Sequence, residues 1–81
     1  MNATRLLIRN AEGLHARPAS LFVRTASQYK AAVEVRNATT DSPWVSAKSM
    51  LRVLSLGVTQ NCEIELRAEG DDAAEALSAL T

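Results

Sequence analysis

The seven residues CEIELRA (62–68) alternate without a break, Cys62, Ile64 and Leu66 on one parity and Glu63, Glu65 and Arg67 on the other. Successive side chains of a strand point to opposite faces, so this segment buries one face and leaves the other in water. With 81 residues in total, the rest of the chain must supply the neighbouring strands and a cover for that single buried face.

The other segments read accordingly. TRLLIR (4–9) is short, aliphatic and bounded by NAEG, a strand. After Gly13 the apolar residues Ala19, Phe22, Val23 and Ala26 follow helical spacing. Pro18 suits a first helical turn, where a missing N–H costs nothing, which predicts a helix from Ala16 to Ser27. AVEVRN (32–37) is a second alternating strand, ATTDSP a turn by composition, and WVSA a short third strand. KSMLRVLSLG reads as a short helix with Ser49 at its N-cap and Gly57 at its left-handed stop. Gly70 turns the chain, and Asp71 or Asp72 opens a last helix whose apolar stripe is Ala73, Ala76, Leu77 and Leu80. The order β-α-β-β-α-β-α, with helices covering one face of half-buried strands, predicts an α+β open-faced sandwich in one domain, 1–81. The chain ends at Thr81 on the stripe of that helix, so a domain trimmed or excised from a longer polypeptide is one expectation.

Composition narrows the class. No apolar run approaches the roughly 20 residues that span a bilayer, and MNATRLLIRNAEG lacks the small-residue cleavage site of a signal peptide. Cys62 has no second cysteine for a disulfide or a metal site, which suits a reducing cytoplasm, and its alternation with Ile64 and Leu66 marks it as core. Net charge is zero but unevenly spread: residues 1–60 hold eight basic against three acidic side chains, and residues 61–81 hold Arg67 against six acids. A positive face of this kind steers an acidic partner or binds phosphate. Nucleic acid fits less well, since there is no Lys/Arg run and no aromatic is seen among the basic residues of a strand.

The only histidine, His15, falls in EGLHARPAS (12–20), where loop becomes helix. Three roles compete for it: capping or packing, metal ligation, and nucleophilic phosphate transfer. A metal lacks a second histidine and any nearby cysteine. A phosphoryl group on His15 would meet the free N–H groups and the positive dipole end of the following helix, at Ala16 and beyond. Arg17 offers a guanidinium matched to phosphate oxygens, Gly13 permits a positive φ in the loop, and Pro18 fixes the first turn. Arg24, seven residues past Arg17, lies two turns down the same face, as a solvated charge or a partner contact.

GLHARPAS, together with AKSMLRVLSLGV (47–58), resembles the HPr family, the histidine-containing phosphocarriers of the bacterial phosphoenolpyruvate:sugar phosphotransferase system. The resemblance covers essentially the whole chain. It implies a four-stranded antiparallel sheet with three helices on one face, and a cytoplasmic, monomeric carrier without metal or cofactor rather than a turnover enzyme. Enzyme I, charged from phosphoenolpyruvate, would pass a phosphoryl group to Nδ1 of His15, which would give it to the enzyme IIA domain of a sugar transporter. Ser49 in AKS matches the family's regulatory serine, a target for a serine kinase/phosphorylase and a handle for a transcriptional regulator. Met50, Leu51 and Leu54, with Ser20 and Arg24, match the partner-docking surface. So short a helix cannot bury all of Met50, Leu51, Val53, Leu54 and Leu56, so some must be exposed. ATTDSPW (38–44) is longer than the family's usual turn, and no role carries over to Trp44.

Other readings stay open. One is a carrier of a regulatory branch, nitrogen-related or serving dihydroxyacetone phosphorylation. Another is a binding module governed only by phosphorylation at Ser49, which would have no need of an imidazole beside Arg17. A hydrolase using His15 as general base ranks last, for want of a nucleophile or second acid nearby.

Overall fold

In the computed structural model, which describes residues 2–81, strict alternation decides the sheet. Strand β4 (Glu63–Glu69) lies between β1 (Asn2–Leu7) and β2 (Ala32–Asn37), with β3 (Val45–Ser46) on the far side of β2; the order is β1-β4-β2-β3 and every pair is antiparallel. The register aligns Leu6 with Ile64, Thr4 with Leu66, Val33 with Ala68 and Val35 with Leu66. One parity of each strand therefore faces the helices, and Cys62, Ile64, Leu66, Val33 and Val35 are all buried. Helices α1 (Ala16–Ser27), α2 (Met50–Ser55) and α3 (Ala73–Leu80) cover that face, giving the open-faced sandwich that the sequence predicts.

Helix α1 has the predicted bounds and buries Ala19, Phe22 and Ala26. In α3 the predicted stripe, Ala73, Ala76, Leu77 and Leu80, is the buried one. Ser49 precedes α2 in an extended conformation and its hydroxyl accepts a hydrogen bond from the Arg52 N–H at 3.4 Å. Gly57 follows α2 with φ +63°, the left-handed stop that glycine takes without steric cost.

Three expectations are corrected. Strand β1 begins at Asn2, two residues before the predicted TRLLIR, because Asn2 and Ala3 pair with Ala68 and Arg67; the partner strand recruits residues whose own propensity is poor. It ends at Leu7 because Asn61, at φ +73°, turns the opposing chain, and Ile8 pairs instead with Asn61 and Cys62 through bonds of 2.7 and 2.9 Å. Strand β3 keeps only Val45 and Ser46 of WVSA; Pro43 has no N–H for a ladder, and Trp44 leaves the strand. Asp72 does open α3, as its N-cap residue, though its side chain makes no capping hydrogen bond. Its carboxylate accepts the N–H groups of Lys30 (2.9 Å) and Ala31 (2.8 Å), which pins the α1–β2 turn to the start of α3. The Lys30 N–H, and then that of Ala31, hold the Asp72 carboxyl below the usual carboxylate range. Lastly, an aromatic does sit among basic strand residues: the Trp44 ring stacks under the Arg67 guanidinium at 4.1 Å, with Arg36 at 5.7 Å.

The wet face of the sheet is a charge lattice. Arg67 Nε donates to Glu34 at 2.7 Å, Arg36 to Glu65 and Asp41 at 2.6 Å each, and Arg5 to Glu63 at 3.1 Å. The Arg36 guanidinium, then Arg5, holds Glu65 below its usual range. Two of the acids of the C-terminal segment thus neutralise arginines of the N-terminal part here, so the Trp44 stack carries no net positive patch for a polyanion. On the opposite side of the sheet, Asn37 is fully buried at a core position opposite Ile64. Its amide donates to the Leu56 carbonyl at 3.1 Å and its Oδ1 accepts from the Thr40 N–H at 3.3 Å, so the buried polar group is satisfied.

Candidate functional site

The loop that leaves β1 is laid on the segment after α2. Leu14 N–H donates to the Val58 carbonyl at 3.1 Å, and the Gln60 amide donates to the Arg9 carbonyl at 3.1 Å. Gly13, at φ +63°, is buried against the same segment: a Cβ there would overlap the Val58 carbonyl oxygen and lie 2.7 Å from Thr59 Cα. The expected positive φ at Gly13 is met, and the close approach of the Val58–Thr59 backbone is a second reason for glycine there that the sequence does not signal.

From this bed the chain rises into α1. His15 is the N-cap residue, extended at φ −132° and ψ 163°, half-buried, and its carbonyl accepts from the Ala19 N–H at 3.4 Å. Among the described residues the His15 side chain makes no capping hydrogen bond to α1, and the first turn holds no acidic residue. The opening N–H groups of a helix lack intrahelical acceptors, and Pro18 has none to offer, so those of Ala16 and Arg17 head the helix directly after the imidazole. Ala16 is exposed and sits at φ +49°, a region sparsely used by residues with a Cβ and costing roughly 1–3 kcal/mol. Sequence reasoning assigned positive φ in this loop to Gly13 alone; nothing in the residue type of Ala16 signals it.

Arg17, Ser20, Leu21 and Arg24 together line an open recess of ≈ 470 Å³ along the exposed side of α1. The heptad separation of Arg17 and Arg24 does place them on one face. Among the described residues Arg17, Arg24 and Arg52 form no ion pair, in contrast to the arginines of the sheet. The uneven charge of the sequence thus resolves into a self-neutralised sheet face and a helical face with unpaired guanidiniums, where a phosphate or an acidic partner is favoured.

Helix α2 packs beside α1. Its Leu51 is 78% exposed and Leu54 36%, while Val53 is buried. Met50 is half-buried and packs against the core cluster, so only part of it is offered to a partner. Leu21 on α1 is 60% exposed and joins Leu51 and Leu54 as an apolar side chain in water beside unpaired arginines. Its signal in the sequence is its position off the Ala19–Phe22–Val23–Ala26 stripe. Ser49 and Arg52 line a second recess of ≈ 360 Å³ with Ser46, Trp44, Val45 and Glu34, so the tryptophan adjoins the serine's surroundings.

Among the described residues no group of three His, Cys, Asp or Glu side chains is placed to hold a metal ion, and no helix is long and apolar enough to cross a membrane. Cys62 is buried, and its thiol is held below the usual range first by the Thr59 hydroxyl, whose Oγ lies 3.4 Å from Sγ.

Known proteins match this arrangement. The family model for the PTS HPr component phosphorylation site matches residues 3–81. The phosphocarrier protein HPr of Haloferax volcanii is 52% identical over 69 residues, 85% of this chain and 76% of that protein. The multiphosphoryl transfer protein of Vibrio cholerae is 42% identical over 73 residues, 90% of this chain but only 18% of that much longer relative. In structure, HPr-C-His from Thermoanaerobacter tengcongensis superimposes with a TM-score of 0.93 at 46% identity, covering 99% of this chain and 86% of that one. With the fold, the loop-to-helix histidine and a family match over nearly every residue in hand, the chain belongs to the HPr family of phosphocarriers of the phosphotransferase system.

Proposed function

We propose that this chain carries a phosphoryl group on His15, accepting it from phospho-enzyme I and donating it to enzyme IIA domains of sugar transporters in the cytoplasm. The observation that carries the reading is the uncapped start of α1. The chain's only imidazole occupies its N-cap position, the N–H groups of Ala16 and Arg17 follow it, and the Arg17 guanidinium is exposed and unpaired. In the transfer, the Nδ1 lone pair attacks phosphorus while the proton stays on Nε2. The Nδ1–P bond forms as the bond from phosphorus to the donor breaks, and the donor keeps that electron pair. The helix N–H groups and Arg17 bind the equatorial oxygens, where charge is spread in the transition state. Few groups contact the phosphate, which suits a carrier: deep stabilisation would trap it. The chain acts as a stoichiometric, monomeric intermediate and not as a turnover enzyme. Incubation with enzyme I and phosphoenolpyruvate tests this, with an acid-labile mass gain on His15 as the expected result and no gain as the refutation.

Arg17 then serves transfer and not stability. Arg17→Lys keeps the charge but loses the planar, two-pronged donor. Transfer to a IIA domain slows by about tenfold, the equivalent of one charge-assisted hydrogen bond, while the melting temperature stays put. Equal transfer rates for the two proteins would reduce Arg17 to a surface charge.

A regulatory role for Ser49 is supported by its hydroxyl at the α2 N-cap, in an exposed hydrogen bond, next to exposed Leu51 and unpaired Arg52. A phosphate there adds about −1.5 to −2 charges, which the helix start tolerates and a partner's acidic surface does not. A kinase would supply it and a transcriptional regulator could read it. Ser49→Asp, still a good N-cap, melts at or above the native temperature but accepts phosphate from enzyme I several-fold more slowly. Acceptance at the native rate would leave Ser49 a helix cap only.

A further inference from the structure

The peptide between Gly13 and Leu14 is gripped at both of its polar atoms. Its N–H, that of Leu14, donates to the Val58 carbonyl at 3.1 Å. Its carbonyl, that of Gly13, accepts from the Asn10 side-chain amide at 2.8 Å. Asn10 acts a second time through its backbone, whose carbonyl accepts the Gly13 N–H at 3.1 Å. One residue therefore closes the 10–13 turn from its main chain and its side chain together. The next residue, Leu14, is 5% exposed and cannot swing without leaving the core. His15 follows directly, and its own carbonyl is tied to Ala19.

Gly13 is buried, so its carbonyl, once released, must find another donor or turn the peptide toward water. No other contact on that oxygen is present among the described residues. The chemistry of the contact is narrow. A carboxylate at position 10 would aim oxygen at oxygen, and a serine hydroxyl would not span the turn. Asparagine is the side chain that is short enough to stay in the turn and still brings an N–H to the carbonyl.

We infer that Asn10 is a positioning residue for His15: its amide fixes the Gly13–Leu14 peptide and with it the direction in which the imidazole leaves the loop. This rests on the phosphoryl-transfer role of His15. In-line transfer between two proteins depends on where the attacking nitrogen stands, since the docking surfaces set the position of phosphorus independently. The recess residues of α1 and the exposed leucines of α2 are not part of the 10–14 turn. Loss of the Asn10 amide therefore alters the reacting geometry and leaves docking intact.

The experiment compares Asn10→Asp, a near-isosteric loss of the donor, and Asn10→Ala with the native chain in phosphorylation by enzyme I and phosphoenolpyruvate. Asp72→Asn serves as a control that loosens the fold at the α1–β2 turn instead. With either Asn10 variant as substrate, the kcat of enzyme I falls by about tenfold or more, the scale of a small misplacement of reacting atoms, while the KM of enzyme I for the chain stays at the native value. Asp72→Asn retains native kcat below its melting transition. In parallel, amide relaxation measured by NMR shows lower order at His15 in Asn10→Ala than in the native protein. Native kcat in both Asn10 variants, or an equal fall in Asp72→Asn, overturns the inference. If the native chain takes no phosphate on His15, the carrier reading fails instead, and the relaxation measurement alone decides: unchanged order at His15 in Asn10→Ala overturns the positioning role.

Discussion

His15→Ala is expected to take up no acid-labile phosphate from phospho-enzyme I and to keep a melting temperature close to the native value. The loss of function is complete because the chain has no second histidine. The fold survives for a reason visible at the helix start. An N-cap residue usually contributes through a side-chain bond to the first turn, and its loss costs about 0.5–2 kcal/mol. His15 makes no such bond, and its backbone part, the carbonyl that accepts from Ala19, is kept by alanine. The imidazole is half-buried and has no side-chain hydrogen bond among the described residues, so little is lost from packing. Calorimetry beside labelling with radioactive phosphoenolpyruvate checks both halves. Undiminished acid-labile label in the variant would move the acceptor elsewhere; a collapsed melting curve would make His15 a structural residue after all.

The helical and strand segments were legible where a local pattern carries the physics. Apolar spacing placed α1 and α3, and alternation placed β2 and β4, because burial of one face leaves a period in the sequence that no distant residue can blur. Cys62 was recognisable as core for the same reason. The residues that escaped this reading act over long separations. Asn37 looks like the polar end of a strand, yet it is fully buried and bonded to the Leu56 carbonyl, 19 residues on. Asp72 opens α3 as expected, but its carboxylate also reaches Ala31, 41 residues back. Trp44 joins arginines of two strands that no linear neighbour announces.

The candidate site divides along the same line. His15, Arg17, Gly13 and Pro18 lie within one short motif, so their proximity follows from the sequence, and Ser49 with Gly57 marks α2 at both ends. The apolar patch was only partly visible: Leu51 and Leu54 are in water, but Met50 leans on the core, and Leu21 enters from a different helix. Which side of a short helix faces solvent depends on how it packs, and α2 is six residues long. The unpaired state of Arg17, Arg24 and Arg52 depends on the sheet having used its acids on Arg5, Arg36 and Arg67, a pairing set by strand register and not by neighbours in the chain.

Two positions of the loop around His15 have positive φ, and they respond to substitution in opposite directions. Gly13→Ala adds a Cβ that meets backbone on the far side, the Val58 carbonyl oxygen and Thr59 Cα. Backbone cannot step aside as a flexible side chain can, and the same peptides hold Leu14 through the Val58 bond. The left-handed penalty and the overpacking together cost about 2–4 kcal/mol. At roughly 4–8 °C per kcal/mol for a domain of this size, Tm falls by roughly 10–30 °C. Ala16→Gly removes a Cβ from φ +49° at an exposed position, where relief of about 1–2 kcal/mol of strain opposes a gain in unfolded-chain entropy of about 0.4–1 kcal/mol. Its Tm therefore holds or rises slightly. The opposite signs follow from the shared left-handed φ, where one change adds a Cβ and the other removes one; the larger size at Gly13 comes from its surroundings, since it is pressed against another segment and Ala16 is exposed at the head of α1. Thermal unfolding followed by circular dichroism measures both. A Gly13→Ala protein that melts within a few degrees of the native chain would mean that the segment at 57–59 yields, and that the bed under His15 is softer than its contacts imply.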